Sequence, residues 1–179
     1  PFTTIFEYLF LLRAACQGLH EAGERALVFL AAAVADFFVP EAEMATDKIQ
    51  SRAHDGLSVQ LRNVPKLLGE IRSWAPQAFI VSFKLETNLN ILLAKAAGAL
   101  QKYGVDTVCS NQLQTIRDVV TVVARDPAAQ GVAVAKAEIA GDEAEPVAVE
   151  GVVSYRVERG SRPSIDPALV EVVAGLHSE

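Results

Sequence analysis

Positive charge is not in excess in this chain: 16 Lys and Arg stand against 22 Asp and Glu, a formal net charge of −6 over 179 residues. That balance, with no basic cluster anywhere, excludes a domain that tracks nucleic-acid phosphates, which concentrates Lys and Arg on one face. Cysteine is scarce as well. Cys16 and Cys109 sit far apart inside apolar segments, and read as buried thiols of a reducing, cytoplasmic compartment rather than as a disulfide framework. No apolar run reaches the roughly 20 residues that a membrane span requires. Residues 5–16, the most apolar N-terminal stretch, are interrupted by Glu7 and Arg13 and lack a basic leader, so neither insertion nor export is expected. Short signatures are missing too: there is no G-x-G-x-x-G, no P-loop, no G-x-S-x-G and no zinc-ligand spacing. His20, His54 and His177 stand singly, and each reads as a surface residue rather than a metal ligand.

What is present is hydrophobic residues, 51% of the chain, enough for one domain with a proper core over residues 1–179. Its centre is the stretch 26–48. An apolar run, residues 26–34, gives way to Asp36 and then, twelve residues on, to Lys48. A run of small and β-branched residues ending in an acid reads as a parallel strand, here 27–33, covered on both faces and delivering a carboxylate to the rim where α/β sheets bind ligands.

The rest of the chain builds around that strand. Thr4 and Glu7 have capping-box spacing ahead of a helical stripe of Ile5, Leu9, Leu12, Cys16 and Leu19, and Gly23 ends the segment. An irregular, acidic stretch of about twenty residues follows Asp36, the length at which loops are usually functional. Leu57, Val59 and Leu61 alternate with polar residues as a half-buried strand, and Pro65 opens a helix bearing Leu67, Leu68, Ile71 and Trp74. Residues 78–83 form a second buried strand, Thr87 starts a helix that Gly104 stops after Tyr103, and residues 105–109 form a third strand.

Strand, helix, strand, helix, strand at this spacing predicts an α/β fold with a parallel sheet and helices on both faces. Beyond Asn111, residues 119–124 and 132–135 read as strands joined in a hairpin across the turn-rich 126–131. Residues 141–146 read as a loop, 152–157 as a weak strand, and Asp166-Pro167 as the start of a closing helix. Residues 1–125 and 164–179 are thus expected to form the core, with 126–163 as a variable insertion.

Each core strand stops at polar groups: Asp36, then Lys84 and Glu86, then Asn111. Singly, Asp36 is a strand-end cap, Lys48 a solvated loop lysine, Phe83 core and Asn111 a turn former. Together they edge one crevice under a long polar loop, which suits an anionic ligand held with a cation or metal.

The segments LAAAVADFFVP, DKIQS, VPKLL, WAPQAFIVSFKLET and DTVCSN, in this order and spacing, resemble the phosphopantothenoylcysteine synthetase (phosphopantothenate-cysteine ligase) family of coenzyme A biosynthesis, in its eukaryotic form. The resemblance covers about residues 1–125 and the closing helix. It implies a Rossmann-like three-layer α/β/α fold, with a mainly parallel sheet and a C-terminal β extension, acting as a homodimer. It implies activation of the 4'-phosphopantothenate carboxylate by a nucleoside triphosphate and Mg²⁺, giving an acyl-nucleotide that the amine of cysteine then attacks. The KIQS form around Lys48 implies ATP over CTP; nothing in the sequence identifies a metal ligand. By the same resemblance Ala32, Ala33, Asp36, Phe83 and Asn111 are nucleotide contacts, and Lys48 is the catalytic lysine that stabilises developing negative charge.

Three departures accompany the resemblance. Ser110 stands where the family usually has Ala, the stretch 127–163 is longer than expected, and the family's glycine-rich segment and an upstream Asn do not occur in these residues. The opening at Pro1 without Met, directly into a helix, reads as a piece of a longer polypeptide. A complete chain would instead be a non-catalytic partner subunit of the same fold, and a generic Rossmann-like cofactor binder is the third reading.

Overall fold

The computed structural model describes residues 1–47, 49, 58–87, 89–126, 132–135, 146–149 and 151–178. Helix α1, Ile5–Leu19, begins as its capping box requires: the Thr4 hydroxyl accepts from Glu7 N at 3.2 Å, while Glu7 Oε2 accepts from Thr4 N at 3.0 Å. Two donors that a helix start leaves unpaired are thereby satisfied. Cys16, with Leu12 and Leu19, faces the core. The helix passes into a 3-10 segment, His20–Arg25, broken by Gly23 at φ 58°.

Strand β1 is Leu27–Phe29, shorter than the 27–33 expected from the apolar run. One more backbone bond, Leu30 N to Val81 O at 2.9 Å, continues the pairing, and the segment then leaves the sheet. Residues 31–35 are exposed. Four of these five are alanines, and a methyl group offers too little apolar area to hold an edge segment against its neighbour. Strands β2, Phe37–Phe38, and β3, Arg62–Asn63, form a small antiparallel pair. The expected alternating strand at 57–61 is not found: Leu57 lies outside the described residues, 58–61 are irregular, and Val59 and Leu61 are exposed. Alternation makes a strand only where one face has something to pack against.

After a 3-10 turn, Leu67–Glu70, helix α2 is a single turn, Ile71–Trp74, with Ile71 fully buried. Strand β4, Phe79–Glu86, leads to helix α3, Leu89–Tyr103. Gly104, at φ 65°, supplies the left-handed residue that ends α3. Strand β5, Thr107–Gln112, runs three residues further than expected, so Asn111 lies within it rather than beyond its end. Strand β6 is Val119–Arg125, β7 Val132–Ala135, β8 Pro146–Val149, β9 Val152–Glu158, and helix α4 Asp166–Ser178 closes the fold.

The five-stranded sheet has the order β1-β4-β5-β6-β9. The first three strands are parallel; β6 and β9 extend them antiparallel. The expected hairpin of 119–124 with 132–135 does not form, because β6 is already paired on both edges, by β5 and β9. Strand β7 instead pairs antiparallel with β8, a strand placed where a loop was expected to end.

Side chains alternate between two cores. Val28, Ile80, Val108 and Val123 point to the layer of α1, α2 and α3, with Ile71, Ala96 and Leu100. Val81, Cys109, Val120, Val122 and Val157 point the other way, to Leu169 and Val173 of α4. This is the α/β/α arrangement expected from the sequence, with a mainly parallel core sheet and an antiparallel extension.

Candidate functional site

Because β1, β4 and β5 are parallel, their carboxyl ends share one edge, and the segments leaving them are brought together there. A cleft of about 640 Å³ opens on the α1–α3 side of this edge. Its apolar wall includes Leu9, Leu12, Leu30, Leu68 and Ile71, and four lysines line it: Lys66, Lys84, Lys95 and Lys102. Lys95 and Lys102 lie two turns apart on α3, with Gly98 and Ala99 between them. The floor between the two cations therefore carries little side-chain bulk.

Two carboxylates balance part of this charge. Glu86 is mostly buried and bridges Lys95, at 2.8 Å, and Lys84, at 3.3 Å. Burial pushes its pKa up, and the hydrogen bonds from Lys95 and Lys84 together reverse that, so the group stays ionised below the ordinary carboxylate range. At the mouth, Asp36 is paired through Oδ1 with Lys66 Nζ. This hydrogen bond, then the charges of Lys66 and Lys84, hold the Asp36 pKa below its usual value. Lys102 lies over the ring of Tyr103 and makes no ion pair among the described residues. Four cations against two carboxylates leave a positive cleft on an acidic chain, able to concentrate an anion with an apolar body.

The expected site residues divide over the two sides of this edge. Ala32 lines the cleft with Val34 and Ala35; Ala33 is its exposed neighbour, and Asp36, next to Ala35 and paired with the lining Lys66, sits at the mouth without itself lining the cleft. Phe83 also borders the cleft, while its ring packs edge-on against Phe29 with centroids 5.3 Å apart, on the α4 side of the sheet. Asn111, 8% exposed, is opposite Leu85 in the β4–β5 register, and so lies one step beyond Phe83 on that same side. Lys48 lies outside the described residues. Ser110, which precedes Asn111, points to the opposite face, and its buried hydroxyl has no hydrogen-bond partner among the described residues.

Sequence reasoning did not single out Lys66, Lys95 or Lys102. The signal for Lys95 and Lys102 was their spacing of seven on one helix. Nothing local marks Lys66, which meets Asp36 across 30 residues of chain.

Residues 13–154 match the family described as DNA/pantothenate metabolism flavoprotein C-terminal domain. The chain is 52% identical over 124 residues to phosphopantothenate–cysteine ligase 2 of Oryza sativa subsp. japonica, a match covering 69% of this chain and 38% of that protein. It is 45% identical over 126 residues to phosphopantothenate–cysteine ligase of Homo sapiens, covering 70% of this chain and 40% of that one. Among solved structures, a Cab2 mutant in complex with phosphopantothenate-cysteine superposes with a TM-score of 0.74 at 34% identity, covering 99% of this chain and 52% of that chain. The chain thus spans about two fifths of the length of the two ligases. With a match over residues 13–154 and a shared architecture, this chain belongs to the DNA/pantothenate metabolism flavoprotein C-terminal domain family.

Proposed function

We propose that this chain is the C-terminal part of a phosphopantothenate–cysteine ligase that uses ATP, in preference to CTP, and works through an acyl-nucleotide. The observation that carries the reading is the lysine-lined cleft, on a chain 52% identical over 124 residues to a ligase of that name. Its chemistry suits 4'-phosphopantothenate, which has an anionic phosphate, an anionic carboxylate and an apolar dimethyl segment between them.

In this reading the carboxylate oxygen attacks the α-phosphorus of ATP and pyrophosphate leaves. The cysteine amine then attacks the acyl carbonyl, forming the amide and releasing the nucleoside monophosphate. Phe83 and Asn111 hold the nucleotide on the α4 side of the strand ends. The Ala32–Ala33 backbone and Asp36 meet it where the acyl group is joined, small residues there permitting close approach. Lys48 stabilises the charge that develops on carbonyl and phosphate. The same reading includes Mg²⁺ with the nucleotide. When bound, that ion neutralises phosphate charge.

The test is pyrophosphate release by the polypeptide that carries this chain, given 4'-phosphopantothenate, cysteine and either ATP or CTP. Release with ATP that Lys48→Ala abolishes is the expected result; a protein that binds ATP yet releases no pyrophosphate refutes the ligase and leaves the non-catalytic subunit. A cytoplasmic homodimer belongs to the same reading, and sedimentation reads its mass. Among the described residues, no helix is long and apolar enough to cross a membrane.

A further inference from the structure

A carboxylate at the mouth of an anion-binding cleft repels the ligand unless its charge is cancelled. Asp36 occupies that place, and its surroundings cancel it. Val64, itself buried, donates its N–H to the Asp36 carbonyl at 2.9 Å, extending the β2–β3 pairing and clamping the two backbones together. Pro65 follows with its fixed φ, and the next residue, Lys66, reaches Asp36 Oδ1. Asp36 Oδ2 has no partner among the described residues. The side chains of the pair are 68% and 60% exposed. Surface ion pairs of this kind contribute little to folding. Stability therefore does not account for a lysine held against this carboxylate.

We propose that Lys66 is a positioning residue: by cancelling the charge of Asp36 and occupying Oδ1, it leaves Oδ2 to accept a hydroxyl or amide donor from a polyanionic ligand. Lys84 adds to the cancellation from the β4 side. The inference rests on the proposed ligase reading, in which the nucleotide meets Asp36 at the mouth of the cleft and the phosphoester lies inside it. It assigns to the Asp36 contact a neutral donor of that ligand rather than its phosphate.

The experiment is a charge cycle on the polypeptide that carries this chain: Lys66→Met, Lys66→Arg, Asp36→Asn and the Lys66→Met/Asp36→Asn pair. Each variant is read by ATP titration calorimetry and by steady-state kinetics. Lys66→Met is expected to raise Kd and KM for ATP about tenfold, with kcat within about twofold of the parent. Lys66→Arg, which keeps the charge and a donor, stays within about threefold. On the Asp36→Asn background Lys66→Met loses most of its effect, because no charge remains to cancel.

An equal loss on both backgrounds shows that Lys66 holds the ligand directly and overturns the inference, as does unchanged affinity in Lys66→Met. The thermal midpoint of Lys66→Met should stay within about 2 °C of the parent. Binding that follows the cycle without turnover upholds the inference and refutes the ligase. Turnover indifferent to Lys66→Met does the reverse.

Discussion

The Arg72 guanidinium donates to Asp106 Oδ2 at 2.6 Å, and that same oxygen accepts the backbone N–H of Ile80 at 2.8 Å. One ion pair thus ties α2 to the starts of β4 and β5. The remaining donors of Arg72 reach Gly104 O at 2.8 and 3.1 Å, Ala78 O at 2.8 Å and Pro76 O at 3.0 Å, all carbonyls outside regular ladders. The pair closes the edge of the sheet opposite the cleft and sets the spacing of the strands that carry Phe83 and Asn111.

Replacing Arg72 by Met unpairs Asp106 and up to three carbonyls at once, and is expected to destabilise the fold by about 2–4 kcal/mol. Arg72→Lys should restore less than half of this, since an ammonium cannot fork between a carboxylate and several carbonyls. Urea denaturation at neutral pH measures both.

Glu86 predicts an acid limb in stability. Its folded pKa lies below the ordinary 4.5, so its contribution is present above that value and disappears as pH falls through the lower, folded one. Glu86→Gln is therefore expected to be less stable than the parent at neutral pH, and the gap should narrow as the pH drops below 4.5. Denaturation midpoints across that range, compared between the two proteins, check the sign.

Both cysteines are free and buried. Burial raises the Cys16 pKa and pushes the Cys109 thiol up to about 12. The reactive thiolate is suppressed at both positions. In mildly alkaline buffer, iodoacetamide should leave the native chain unmodified and label both residues after denaturation, with the products counted by mass spectrometry. Labelling of Cys109 in the native state would contradict its place beneath α4.

Gly98 inside α3 and Gly104 just past its end should respond in opposite directions. Gly104 has φ +65° and open space around an added Cβ, so Gly104→Ala meets no clash yet pays for its torsion, about 1 kcal/mol. Gly98 lies inside the helix with equally open space, and Gly98→Ala is expected to stabilise by about 0.5–1 kcal/mol. Thermal unfolding of the two variants reads the contrast, and because Gly98 lines the cleft, 4'-phosphopantothenate affinity of Gly98→Ala reports how closely a ligand approaches α3.

Elements whose causes are local were legible in the chain itself. Thr4 and Glu7 announced α1, Gly104 the end of α3 and Asp166 the start of α4, because each cap is made by residues within one turn of one another. The alternation of parallel strands and helices followed from the apolar runs at Val28, Ile80 and Val108, which need cover on both faces. Tertiary structure decided what depends on distant partners. It stopped β1 at Phe29, carried β5 past Asn111, gave β6 the partner β9 instead of β7, and left Leu61 exposed. It also brought Lys66 to Asp36, and set Lys95 and Lys102 of α3 in one cleft wall with Lys95 on Glu86, a convergence that no local capping or periodicity signal announces. Backbone capping and burial patterns act within a few residues, whereas strand partners and ion pairs are chosen by whatever the folded chain happens to place within a few ångströms.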